Sequence, residues 1–124
     1  MNNQTLGKLG EQIAVSYLRN QGYKIIETNF YKKWGEIDII AIEPKASKGK
    51  GVLVFVEVKT RREFDFITPE ESISSKKISS LKKTALFYKN SHKDFPEVLR
   101  IDFVGVVLNK ENNPIKINLI KNIS

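Results

Sequence analysis

Hydrophobic positions fall into two rhythms along the chain. From Thr5 to Gln21 the spacing is helical: Leu6, Leu9, Gly10, Ile13, Ala14, Tyr17 and Leu18 line one stripe, and Gly22 supplies a left-handed stop. Glu11 lies at the margin of that stripe, beside Gly10. Three strand-like runs follow. Tyr23–Phe30 is β-branched and mixed, Glu36–Glu43 (EIDIIAIE) is apolar on both faces apart from Glu36, Asp38 and Glu43, and Val52–Lys59 (VLVFVEVK) is apolar until Glu57 and Lys59. Strands apolar on both faces require cover from helices. Between the last two runs, PKASKGKG (44–51) is rich in lysine and turn formers, which predicts an exposed, mobile hairpin loop.

Residues 60–73 read as a connection, and a second helix is expected from Ser74 or Ser75 to Asn90 with Ile78, Leu81, Ala85 and Tyr88 buried. Two start signals compete. Thr68 to Glu71 is a capping box with proline at the first helical position, and Ser74 is an equally good cap six residues on. The reading places a short turn at the first and the main helix at the second. SHKDFPE is a loop, Val98–Asn109 a long strand, Glu111–Pro114 a turn and Ile115–Lys121 a last strand. Helix, three strands, helix and two strands predict an α/β fold with a mixed sheet, as one domain over residues 1–124.

Composition narrows the chemistry. The chain has 124 residues, is 40% hydrophobic and contains no cysteine, which excludes disulfides, thiolate zinc sites and cysteine catalysis. His92 is the single histidine, a poor basis for a serine triad or a multi-histidine metal site. No run reaches the length of a membrane span, and the opening residues lack a secretory pattern, so a cytoplasmic protein without membrane contact is expected. Lys+Arg 21 against Asp+Glu 14 gives a net charge of +7, a surface that attracts polyanions. The positive charge concentrates in residues 45–62 and in the second helix.

Asp38, Glu57 and Lys59 each place a charge inside a strand that otherwise demands burial. If residues 44–51 close a symmetric hairpin, counting back along both strands sets Asp38 opposite Glu57, with Cβ atoms about 4.5–5.5 Å apart. Lys59 shares the face of Glu57, because strand side chains alternate with period two. Two facing carboxylates are tolerated when they share a proton, when a lysine neutralises them, or when a divalent cation bridges them. An all-oxygen site with open positions suits Mg²⁺ or Mn²⁺. Spacing alone leaves a strand-end ion pair as the alternative.

At these residues a resemblance enters. GKLGEQIAVSYLRNQGYKIIETNF, WGEIDIIAIE, VLVFVEVKTRR, KKISSLKKTALFY and RIDFVGVVL resemble the small bacterial UPF0102 family, itself similar to Holliday-junction resolvases and other restriction-endonuclease-like PD-(D/E)xK nucleases. Only the ending, INLIKNIS, departs from the family's usual pattern. The resemblance implies a restriction-endonuclease-like core, a mixed sheet flanked by helices, and a metal-dependent endonuclease acting on DNA, including branched or structured DNA. By motif, Asp38 and Glu57 resemble metal-binding acids and Lys59 a catalytic lysine. Glu11 resembles a first-helix glutamate near such sites, and Lys77 a second-helix lysine that approaches the same pocket.

Arg61 and Arg62 follow the site directly and suit flanking phosphates but read equally as solvated charges. Lys48 and Lys50, with Lys45, can grip a backbone from the loop, although a charged hairpin tip needs no function. Lys76, Lys77, Lys82, Lys83 and Lys89, none offset locally, give the second helix a basic face suited to phosphates. Glu36 shares the Asp38 face. Phe30, Tyr31 and Trp34 can stack on a base or pack beneath the hairpin. Asp102 is expected to pair with Arg100 or a neighbouring helix, and His92 to sit on a loop surface. A non-catalytic nucleic-acid-binding module with the same fold is the competing reading, and an adaptor with a structural ion-pair network is a third. A homodimer is consistent with a two-fold symmetric junction, although no residue demands it.

Overall fold

The structure is a computed structural model that describes residues 3–44 and 49–124. Among these residues run helix α1 (Asn3–Asn20), strands β1 (Lys24–Lys32), β2 (Gly35–Glu43) and β3 (Val52–Arg62), a 3₁₀ turn (Glu70–Ser72), helix α2 (Ser75–Ser91), and strands β4 (Leu99–Leu108) and β5 (Pro114–Ile120). They form a five-stranded sheet in the order β1-β2-β3-β4-β5. Only β3 and β4 pair in parallel, with α2 in the crossover between them; the other three pairings are antiparallel. This mixed sheet flanked by two helices is the α/β architecture expected, and it is compatible with a restriction-endonuclease-like core. No helix among the described residues is long and apolar enough to cross a membrane.

The alternation of β3 decides which side chain meets which helix. Val52, Val54, Val56 and Val58 pack with Ala14 and Leu18 of α1, whereas Leu53 and Phe55 pack with Leu81, Ala85 and Tyr88 of α2. Glu57 and Lys59 continue the α2 side. Thr60 continues the α1 side and lies so close to Gly10 that a Cβ there would collide with its side chain. That approach draws the N-terminal half of α1 onto the end of β3.

Element ends differ from the sequence reading by a few residues, and one difference matters. The strand expected to stop at Lys59 continues to Arg62, because β4 offers partners up to Leu108. Both start signals ahead of α2 are used as anticipated. Thr68 and Glu71 exchange capping-box bonds around the short turn, and the Ser74 hydroxyl accepts the Lys77 N–H at 3.1 Å. His92 is a correction: it caps α2, stacks on Tyr88 at 3.9 Å and is half-buried, because an imidazole beside two aromatic rings gains more from stacking than from water. Asp102 is fully buried and paired as expected, receiving bonds from Arg100, the Tyr23 hydroxyl and the Asn122 N–H.

Candidate functional site

The hairpin of β2 and β3 has the register anticipated from the loop, with Ile39 facing Val56 and Glu43 facing Val52. Pairing stops at Ile39 and Val56, although both strands run further. Where the ladder would continue, the Asp38 carboxylate turns across the gap and accepts the Val58 N–H at 2.8 Å. Asp38 and Glu57 are therefore next neighbours at the point where the strands part, and their carboxyl groups share a hydrogen bond.

A second carboxylate beside a buried one disfavours ionisation of the buried one. Burial, the charge of Glu57 and the more distant charge of Glu11 push Asp38 up to about 8, against the lowering effect of the Val58 N–H. Glu57 is only 3% exposed. Two ammonium groups compensate it: Lys77 Nζ from α2 stands 3.5 Å and Lys59 Nζ 3.7 Å from its Oε2. Lys77 reaches Glu57 from the first turn of α2, whose start is fixed by the Ser74 cap.

Glu11 approaches from the opposite helix. It lines an open cleft of about 430 Å³ together with Val58, Lys59 and Arg61, and a neighbouring one of about 520 Å³ with Asn29 and Glu36. Burial raises its proton affinity, a hydrogen bond from the Asn29 side chain opposes this, and the Glu36 charge adds to the rise. Asn29 was not singled out from the sequence. It adopts φ 55° within β1, a left-handed conformation that asparagine tolerates better than most residues, and an asparagine inside a strand-like run is the signal that marks it.

Glu11, Asp38, Glu57, Lys59 and Lys77 thus converge, Arg61 and Glu36 line the clefts that Glu11 borders, and the remaining candidates are spread out. Glu36 is exposed at the start of β2. Arg61 donates to the Thr60 carbonyl, and Arg62 holds the β4–β5 turn through Asn109 and Asn112. Lys76 and Lys50 are exposed, and Lys48, like Lys45, lies outside the described residues. The basic face of α2 is narrower than expected, because Lys77 is offset by Glu57 and Lys89 by Glu97.

Among the described residues no three acidic or histidine side chains form a ready cation cage. The donor set still fits a hard divalent ion that keeps several waters. Asp38 and Glu57 would offer two oxygen ligands where the strands part, and a cation there would compete with the proton that Asp38 binds.

The family described as "Uncharacterised protein family UPF0102" matches residues 10–106, a span that contains all five converging residues. The chain is similar to a UPF0102 protein of Syntrophomonas wolfei subsp. wolfei (42% identical, 97% of each chain covered). It is also similar to UPF0102 proteins of Caldicellulosiruptor bescii (43%, 98% of each chain) and Clostridium botulinum (43%, 97% of this chain and 94% of the relative).

Proposed function

The chain belongs to the UPF0102 family, whose description names no activity, and from its own side chains we propose that it is a divalent-metal-dependent hydrolase of phosphodiester bonds in DNA. The observation that carries this reading is the Asp38–Glu57 pair, held in contact at a strand opening and flanked by two lysines. A structural ion pair has no need of a second carboxylate beside the first.

Asp38 and Glu57 would hold the cation, with Mg²⁺ or Mn²⁺ as the chemical match. Once bound, such an ion offsets the charge of the pair and lowers the pKa of the water it carries. The remaining work falls to side chains already in place. Lys59 lines the same cleft as Glu11 and is positioned to orient the attacking water and to counter negative charge gathering on the phosphate oxygens. Lys77 supplies a second positive charge from the α2 side. Glu11, with its raised proton affinity, can accept a hydrogen bond from that water. In the reaction the water oxygen bonds to phosphorus as the phosphorus–oxygen bond to the sugar breaks, and a proton passes to the departing oxygen. The net charge of +7 draws the polyanion in, while the buried acids stay screened by their lysines.

The test is incubation of the purified protein with branched, flapped, single-stranded and duplex DNA, with and without Mg²⁺ or Mn²⁺. Metal-dependent cleavage, lost in Asp38→Ala and Glu57→Ala variants whose circular dichroism is unchanged, is the expected result. Cleavage that survives both substitutions, or no cleavage of any substrate with either metal, overturns the proposal.

A further inference from the structure

The β1–β2 turn is pressed onto α2. The Ser80 hydroxyl donates to the Trp34 carbonyl at 2.8 Å, and a Cβ on Gly35 would collide with Thr84 and Ser80. This contact sets the Trp34 ring edge-to-face against Phe87, with centroids 5.4 Å apart. Each ring remains 39% exposed. Lysines stand over the rings in place of apolar cover: Lys83 Nζ is 5.4 Å from the Trp34 centroid and Lys32 Nζ 4.8 Å from that of Phe87. Among the described residues no carboxylate lies within ion-pair distance of either ammonium, in contrast to Lys59, Lys77, Lys89 and Lys121.

We infer that Trp34 and Phe87, with Lys32 and Lys83, form a stacking platform for an unpaired nucleobase, which holds a single-stranded segment of nucleic acid leading to the Asp38–Glu57 pair. As a statement about substrate class, this rests on the hydrolase reading. Two observations favour nucleic acid as the occupant. Aromatic faces flanked by unneutralised ammonium groups match the two parts of a nucleotide, a π-face and a phosphate. The platform also connects to the candidate site along α2: Lys76, Ser80, Lys83 and Phe87 recur at helical spacing on one face. Ser80, which anchors the Trp34 turn, lies only about 4.5 Å along the axis from Lys77. Trp34, in the turn just ahead of β2, precedes Asp38 by about 13 Å of extended chain, the span of a few stacked nucleotides. A duplex keeps its base faces covered, so a platform of this kind selects strands with unpaired bases.

Trp34 is the sole tryptophan, so its emission reports on the platform directly. In metal-free buffer, short oligothymidylate is expected to quench that emission saturably and to bind more tightly than a blunt duplex of equal length. Trp34→Ala and Phe87→Ala, followed by anisotropy of a dye-labelled oligonucleotide, are expected to weaken binding about 5- to 100-fold, while Trp34→Phe retains most of the affinity. The double change Lys32→Gln with Lys83→Gln, on a half-buried and an exposed side chain, is expected to flatten the slope of log affinity against log salt by about 1.4. Oligonucleotide binding that leaves Trp34 emission, the affinity of these variants and the salt slope unchanged overturns the platform. So does equal binding of blunt duplex, no binding of any oligonucleotide, or an emission change that follows protein concentration alone, which would assign the face to a second copy of the chain. Metal-dependent cleavage scored in parallel separates the two proposals: quenching without cleavage sinks the hydrolase reading, and cleavage with a silent Trp34 sinks the platform.

Discussion

Asp38 accepts the backbone N–H of Val58, so a side chain completes the β3 hydrogen-bonding edge where the β2 backbone has turned away. Asparagine can make the same bond without the charge. In metal-free protein, Asp38→Asn is therefore expected to fold normally and to lose Mg²⁺- or Mn²⁺-dependent stabilisation. Asp38→Ala leaves the Val58 N–H without its acceptor, which costs about 1–3 kcal/mol. Thermal melts of both variants, with and without metal, check this pair of outcomes.

The pH dependence of that substitution has a definite sign. Burial and Glu57 raise Asp38 from an ordinary 3.8 to about 8, so the folded protein binds this proton more tightly than the unfolded chain does. The stabilisation from the proton is complete below the unfolded value and is lost as pH rises through the folded one. Without metal, the melting temperature of Asp38→Asn minus that of the wild type is expected to grow from about pH 4 to pH 8 and then level off. A difference that stays flat across this range would show that folding does not raise the proton affinity of Asp38.

Metal removal gives the complementary test. A cation at a hundred times its dissociation constant adds about 2.7 kcal/mol of stability. The wild-type protein is expected to show such a gain with Mn²⁺, largest above pH 8 where no proton has to be displaced, and Glu57→Gln to show none. Calorimetric titration gives the stoichiometry in the same samples.

Lys59 and Lys77 approach the same Glu57 oxygen, yet different losses are expected. Lys59→Met removes the charge that lines the cleft, and the cleavage rate is expected to fall about 10²–10³-fold, as for loss of one stabilising donor. Lys77→Met is expected to cost less in rate. Both side chains are partly exposed, so neither change is expected to lower stability by more than about 1 kcal/mol. Single-turnover rates and melting temperatures separate the two effects.

Gly10 and Asp102 test the frame that supports the site. Gly10→Ala drives a methyl group into Thr60 and is expected to cost about 1–3 kcal/mol, with a further loss of activity as Glu11 is pushed off the cleft. Asp102→Ala strips Arg100 of a buried partner and is expected to cost about 3–5 kcal/mol while leaving metal affinity intact. Urea denaturation and calorimetry read the two outcomes.

Much of this was legible before any coordinates. The apolar runs located every strand, the two caps before the second helix were both visible, and the symmetric loop set the hairpin register that brings Asp38 beside Glu57. These features are local: periodicity, capping and turn symmetry act over a few residues, and the chain states them directly. The same reasoning placed His92 rightly in a loop but fully at its surface, and stopped β3 at Lys59, because neither a stacking partner four residues back nor a β4 edge reaching Leu108 is visible in a local window.

What only the tertiary structure decided is which distant groups meet. The family motif proposed that Lys77 approaches the pocket, but its 3.5 Å contact with Glu57 depends on how α2 packs against the sheet. Glu11 faces the site because Gly10 and Thr60 allow α1 to come close, and Asn29 meets Glu11 through a left-handed residue inside a strand. The unpaired lysines over Trp34 and Phe87 arise in the same way, from a turn pinned to a helix 46 residues away in sequence. Sequence by itself determined the elements and the hairpin that pairs the two acids, since those follow from neighbours along the chain. The lysines, the glutamate and the aromatic pair around them were assigned by packing, since long-range contacts are set by how helices and sheet close over a common core.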